Sequence, residues 1–214
     1  MKYFGLVGIF FVFLFSCNNE NSKEENSFTG IKRLAKYYPL DALASNGDTL
    51  YHTIPEVQLI AQDGKPFSTA TLKGKIVLAD FFFASCQGIC PRMTSQLTRV
   101  QAAFSQEKNL RIVSFTVDPD RDSANSLQHY AERFHADTIQ WKFLTGPKKI
   151  LYDLARTGFY LPVQPGSGNS EDFIHSDQLI LVDKNSNIRG YYSGTDSTAI
   201  DSLIVDIRTL LKEK

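Results

Sequence analysis

Eight residues in the middle of the chain, Ile76-Val77-Leu78-Ala79-Asp80-Phe81-Phe82-Phe83, include a single polar side chain. A strand with one wet face would alternate; this run does not. It fits a strand buried on both faces, which requires helices covering a sheet from both sides. The rest of the chain supplies them. Met93, Leu97, Val100 and Phe104 recur at helical spacing behind Pro91, so a helix is expected from Pro91 to about Phe104. Leu110 to Val117 reads as a second core strand, and Asp122 or Ser123 as the cap of a helix to about Phe134. Trp141 to Leu144 reads as a short strand, and Pro147 opens a helix to about Thr157. Gln178–Val182 and Ile188–Tyr192 form a hairpin, and Asp196 or Ser197 caps a last helix through Leu211. Upstream, Val57–Ile60 and Pro66–Thr69 flank an Asp63-Gly64 turn and read as another hairpin. The expected fold is α/β: a central mixed sheet flanked by helices, with an N-terminal β-hairpin extension.

The 214 residues carry 23 Lys plus Arg against 23 Asp plus Glu, and 43% are hydrophobic. These are globular proportions. A neutral chain lacks the basic face that phosphate binding needs, so nucleic acid is not an expected partner. Three cysteines are too few for a disulfide scaffold. A chain of this length buries about 70% of its unfolded surface and does not need staples. A close cysteine pair is therefore more readily chemical than structural.

Residues 1–16 read as an export signal. Lys2 is the positive start, and Tyr3 to Phe15 is apolar without charge, shorter than the roughly 20 residues a membrane span takes. The stretch ends in Leu14-Phe15-Ser16-Cys17, which resembles a bacterial lipobox. That resemblance implies cleavage before Cys17 and a lipid on its sulfur; the alternative is a plain signal peptide with an incidental Cys. Residues 18–29 are Asn, Ser, Glu and Lys with almost nothing apolar, a tether composition. Residues 17–50 are thus expected to be a lipid-anchored tether and irregular lead-in, and 51–214 the folded domain. Such a protein is exported and membrane-anchored, facing the bacterial periplasm, a compartment where thiols oxidise and meet metals.

The chemistry concentrates in Phe83-Ala84-Ser85-Cys86-Gln87-Gly88-Ile89-Cys90-Pro91, which leads from the core strand into a helix. Ligands of open α/β sheets collect at such strand ends. Cys90 is expected at the N-cap, where the helix dipole favours thiolate. Two thiolates at this spacing make either a reversible disulfide or half of a soft-metal site. A structural bridge across so small a loop would add only about 2 kcal/mol.

The run from Val77 to Met93, with Cys-x-x-x-Cys-Pro at Cys86–Pro91, resembles the Sco/SenC family of copper-handling, thioredoxin-like proteins. Ser114-Phe115-Thr116-Val117-Asp118-Pro119-Asp120-Arg121-Asp122 and Phe173-Ile174-His175-Ser176 are similar to two further segments of that family. The resemblance covers roughly Ile54 to Leu211. It implies a thioredoxin-like fold, with Cys86, Cys90 and His175 as ligands of one copper. It also implies a partner in the copper-site subunit of a cytochrome oxidase, beside other periplasmic copper or thiol-redox proteins. Independently, thiolates are soft and select Cu(I), and imidazole suits copper in either oxidation state. Zinc also accepts two Cys and one His. Protons compete for all three donors, so copper binding is expected to weaken as pH falls.

Asp80, six residues before Cys86, stands where thioredoxins carry a buried carboxylate; it is a candidate proton acceptor for one thiol, or a locally hydrogen-bonded Asp at a strand end. The Asp118–Asp122 segment reads as a rigid loop near the site, either a docking edge or a capping device. Met93 suits core packing better than copper. His129 suits a solvated helix face, His135 a helix end, and His52 the lead-in. Two features depart from classical thioredoxin: three residues separate the cysteines, and Ile174-His175-Ser176 has no Pro. Phe83 stands where a peroxiredoxin needs Thr. The leading function is a copper metallochaperone for a respiratory oxidase. A thiol-disulfide reductase using Cys86 and Cys90 is the alternative, and a copper or redox sensor the third.

Overall fold

The apolar run forms a strand, Ile76–Phe82, with every residue buried. The computed structural model describes residues 40–43, 49–161 and 176–213, which fall in one compact unit of the chain. The apolar leader, Cys17, the tether and His175 lie outside the described residues.

In chain order the elements are β1 (Leu40–Leu43), β2 (Thr49–Tyr51), β3 (Gln58–Ala61), β4 (Pro66–Ser68), β5 (Ile76–Phe82), α1 (Ile89–Ala103) and β6 (Leu110–Thr116). There follow α2 (Ala124–Arg133), β7 (Trp141–Thr145), α3 (Lys148–Asp153), β8 (Gln178–Val182), β9 (Ile188–Ser193) and α4 (Ser197–Lys212). Seven strands make one sheet in the order β4-β3-β7-β6-β5-β8-β9. β5, β6 and β7 are parallel, joined through α1 and α2. The hairpins β3–β4 and β8–β9 extend the two sides antiparallel. This is the thioredoxin-like arrangement, with the expected N-terminal hairpin.

Two crossovers in the same direction place α1 and α2 on one face, and α4 joins them. Strand alternation then divides the core. Ile76, Leu78 and Phe82 meet Met93, Leu97, Leu127, Ile200 and Leu203. Val77, Ala79 and Phe81 meet Leu151, Leu154 and Phe159 on the other face. Asp80 has the parity of Leu78 and Phe82, so it lies on the α1 face.

Three boundaries differ from the sequence reading. The lead-in is not irregular throughout, since β1 pairs antiparallel with β2; strands of four and three residues are too short for alternation to be legible. α3 ends at Asp153, and the chain continues as a π-helical turn, Leu154–Gly158. α1 starts at Ile89, one residue before Cys90, with consequences for the thiols.

Candidate functional site

Because β5, β6 and β7 are parallel, the loops that leave them open on one edge of the sheet. The loop after β5 carries Cys86 and enters α1, whose first turn holds Cys90. The loop after β6 holds Val117–Ser123. β8 reaches the same edge from the other direction: Val77 pairs with Val182 and Ala79 with Ile180, so β8 begins where β5 ends. Gly194 confirms the closeness. A Cβ there would lie 2.9 Å from the Asp177 carbonyl and 3.0 Å from Met93 Cγ. The chain at Asp177 thus lies near Met93, three residues along α1 from Cys90.

Both thiols are free, and each acts on the ionisation of the other. Cys86 is part-exposed, whereas Cys90 is 3% exposed. The N-cap of α1 is Gly88, not Cys90, and it offers no side-chain acceptor. The first N–H groups of a helix need a partner. Cys86 provides it: partial burial alone would raise its thiol, but hydrogen bonds from the Cys90 thiol and from the N–H groups of Cys90, Gly88 and Ile89 outweigh burial and hold it below the ordinary range. Cys90 goes the other way. Burial, and then the hydrogen bond it gives to Cys86, push its thiol up to about 12. The helix terminus therefore activates Cys86 rather than Cys90. Iodoacetamide at neutral pH is expected to label Cys86 at least about tenfold faster, because only thiolate reacts and one pKa unit is a factor of ten in it. Peptide mass spectrometry reads the two rates; equal rates would contradict the assignment.

Asp80 is 1% exposed and sits within β5, not at its end. Its neighbour across the parallel ladder is Ser114, whose Oγ donates to Asp80 Oδ1 at 2.5 Å and accepts from Trp141 Nε1 at 2.9 Å. Burial, opposed by the Ser114 hydrogen bond, pushes the Asp80 carboxyl up to about 7. Its charge also acts on Cys90 and on Tyr130. The Tyr130 hydroxyl shares a 2.9 Å hydrogen bond with Thr94 Oγ1, which donates to the Cys90 carbonyl at 2.9 Å. Nothing local in the sequence marks Ser114, Thr94 or Tyr130 for these hydrogen bonds. The available signal was parity, since Ser114 and Thr116 are polar positions on the Asp80 face of a buried strand.

Ser123 caps α2, accepting from Ser126 N–H. Asp122 turns back instead, and its Oδ2 accepts from Thr116 Oγ1 at 2.5 Å and from Ala84 N–H at 3.0 Å. Asp118 pairs with Arg121, and Asp120 lies 3.5 Å from Lys148 Nζ. Met93 is 1% exposed in the core. His52 Nε2 lies 2.9 Å from the Gly158 carbonyl oxygen, and His129 sits exposed beside Glu132. His135 follows α2 at φ 53. Among the described residues no three His, Cys, Asp or Glu converge to hold a metal. The two thiols form a soft pair that suits Cu(I); His175, the expected third donor, lies outside the described residues.

The sequence profile of the SCO1/SenC family matches residues 47–212. A SCO1/SenC family lipoprotein from Bacillus anthracis is 34% identical, with a TM-score of 0.68 over 75% of this chain and 96% of that one. BsSco, described as a member of the Sco family of cytochrome c oxidase assembly proteins with a disulfide switch, is 32% identical. Its TM-score is 0.66, over 76% of this chain and 95% of that one. A protein of Stutzerimonas stutzeri named for copper binding is 34% identical over 142 residues, 64% of this chain and 68% of the relative.

Proposed function

This chain belongs to the SCO1/SenC family, and on that premise we propose that it carries copper as cargo on Cys86, Cys90 and His175 and delivers it to the binuclear copper site of a respiratory cytochrome oxidase. The observation that carries this reading is the pair of free thiols, Cys86 in the loop after β5 and Cys90 in the first turn of α1. Two soft anionic donors favour Cu(I), and an imidazole completes a set of three. Three donors leave a side open through which a target's ligands enter and take the metal. The course of β8 supports His175, since β8 begins at the sheet edge that holds the thiols, and Asp177, two residues after His175, lies near Met93 of α1. The copper-binding relative and the oxidase-assembly relative agree with cargo and destination. Other periplasmic copper or thiol-redox proteins are the further partners. The chain is held to the membrane through a lipid on Cys17, in keeping with the lipoprotein relative.

Reduced protein is expected to hold one Cu(I) per chain against a chromophoric chelator. The same protein, oxidised until thiol counting finds neither Cys86 nor Cys90, is expected to hold none, because a disulfide removes both anionic donors. Copper retained after full oxidation would contradict the shared site.

A second reading rests on the unequal thiols. A part-exposed, activated Cys86 and a buried, unreactive Cys90 suit an attacking and a resolving thiol. Cys86 thiolate attacks a target disulfide, forming a mixed disulfide and releasing one target thiolate. Cys90, giving up its proton, then attacks the Cys86 sulfur and releases the second. Two electrons pass to the target and the pair ends as a disulfide. This route needs no His175.

A further inference from the structure

The acidic end of the Asp118–Asp122 segment does something other than cap a helix. Asp122 is 2% exposed, and both hydrogen bonds described for its carboxylate fall on Oδ2, from Thr116 Oγ1 and Ala84 N–H. Thr116 Oγ1 in turn accepts from Asp118 N–H at 2.9 Å. Asp122 N–H returns to the Asp118 carbonyl at 2.8 Å. The β6 loop is therefore closed on itself and then tied, by one carboxylate oxygen, to the backbone two residues before Cys86. A second tie lies just below: Val117 N–H donates to the Phe82 carbonyl at 2.8 Å. From Ala84 the chain has only Ser85 before Cys86, whose own N–H reaches the Phe83 carbonyl at 3.2 Å. A buried carboxylate costs stability unless its hydrogen bonds return it, and helix capping, the ordinary use of Asp at this point, is already done by Ser123.

We propose that Asp122 is a positioning residue for the dithiol: it anchors the Ala84–Gly88 loop so that the Cys86 sulfur stays against Cys90 and the N–H groups at the start of α1. The anchor raises the effective concentration of one sulfur at the other. It therefore favours disulfide closure, in which Cys86 and Cys90 lose two protons and two electrons to glutathione disulfide, giving two glutathione molecules. The same closeness favours two-thiolate capture of a metal. This inference rests on the pair being a working dithiol, under either role proposed above.

The test is equilibration of the reduced soluble domain with glutathione buffers at 25 °C, with the folded state of each variant checked by circular dichroism. Asp122→Ala is expected to shift the equilibrium constant toward the dithiol by roughly tenfold, about 30 mV in potential. Asp122→Asn, which keeps an oxygen for Ala84 N–H, is expected to stay within about threefold of wild type. Ser123→Ala, which removes the cap of α2, is expected to lower thermal stability and leave the potential alone. An Asp122→Ala protein that folds and keeps the wild-type potential overturns the inference. A structural role alone would move the melting temperature of Asp122→Ala without moving its potential. If Asp122→Ala does not fold, two measurements decide. Thr116→Val should shift the potential in the same direction, and wild-type Ala84 N–H should be protected from hydrogen exchange; an unprotected Ala84 amide overturns the anchor. A wild-type pair that forms no disulfide at any glutathione ratio overturns the dithiol reading and this inference together, whereas an unmoved potential in Asp122→Ala overturns this inference alone.

Discussion

Replacing either thiol, Cys86→Ser or Cys90→Ser, is expected to weaken Cu(I) binding by more than about a hundredfold. Changes outside the ligand shell of a metal site already cost about 10–100-fold, and here an anionic soft donor is exchanged for a neutral hard one. The two losses should differ. Cys90→Ser leaves the Cys86 sulfur, held toward thiolate by the N–H groups of Gly88 and Ile89. Cys86→Ser leaves Cys90, whose thiol burial still pushes up, so it must give its proton to solvent before it binds. Residual affinity at pH 7 is therefore expected to be higher in Cys90→Ser. Competition with a chromophoric chelator measures both variants. Either one binding within tenfold of wild type would contradict a shared two-thiolate site.

Asp80→Asn is expected to remove most of the pH dependence of stability between about pH 4 and 7. In the folded protein the Asp80 carboxyl ionises near 7, against an ordinary value of 3.8. Below both values it is protonated folded and unfolded, and it burdens neither state. As pH rises between them, the unfolded chain ionises while the folded one keeps its proton, so stability falls by about 1.4 kcal/mol per pH unit. Above about 7 both states are ionised and the loss levels off at about 4 kcal/mol. Asn carries no charge at any of these pH values. The variant should be more stable than wild type at pH 8 by roughly 2–4 kcal/mol, allowing for a weaker bond from Ser114. Urea unfolding at pH 5 and pH 8 reads this, with the emission of Trp141 as signal. Trp141 is the only tryptophan and donates to Ser114 beside Asp80. The same pH slope in variant and wild type would contradict a buried, protonated Asp80.

Much of this architecture was legible because its signals are local. The unbroken run at Ile76–Phe83, the spacing of Met93, Leu97 and Val100, and the Asp63-Gly64 turn each specify an element without reference to the rest of the chain. The thiol pair was equally plain, since Cys86 and Cys90 follow a buried strand. What could not be read depends on one-residue boundaries and on register. Starting α1 at Ile89 rather than Pro91 transfers the helix N–H groups from Cys90 to Cys86 and reverses which thiol is activated. Whether Asp122 or Ser123 caps α2 is undecidable from two adjacent capping residues; the answer comes from Thr116 and Ala84, which only the folded sheet brings to Asp122. Ser114 became a partner of Asp80 through the β5–β6 pairing, which places them opposite each other. The strands β1 and β2 were missed because their few residues carry no period.

The copper site proposed for this chain combines two thiols and one imidazole. Its most direct test is a Cu(I) competition titration of the reduced soluble domain, beginning after the tether, with wild type run beside His175→Ala. Wild type is expected to hold one copper tightly, and His175→Ala to bind it at least about tenfold more weakly, a loss in the range seen for weakened metal shells. A His175→Ala protein that binds copper as tightly as wild type would contradict the three-donor site and leave the Cys86–Cys90 pair as a thiol reductant.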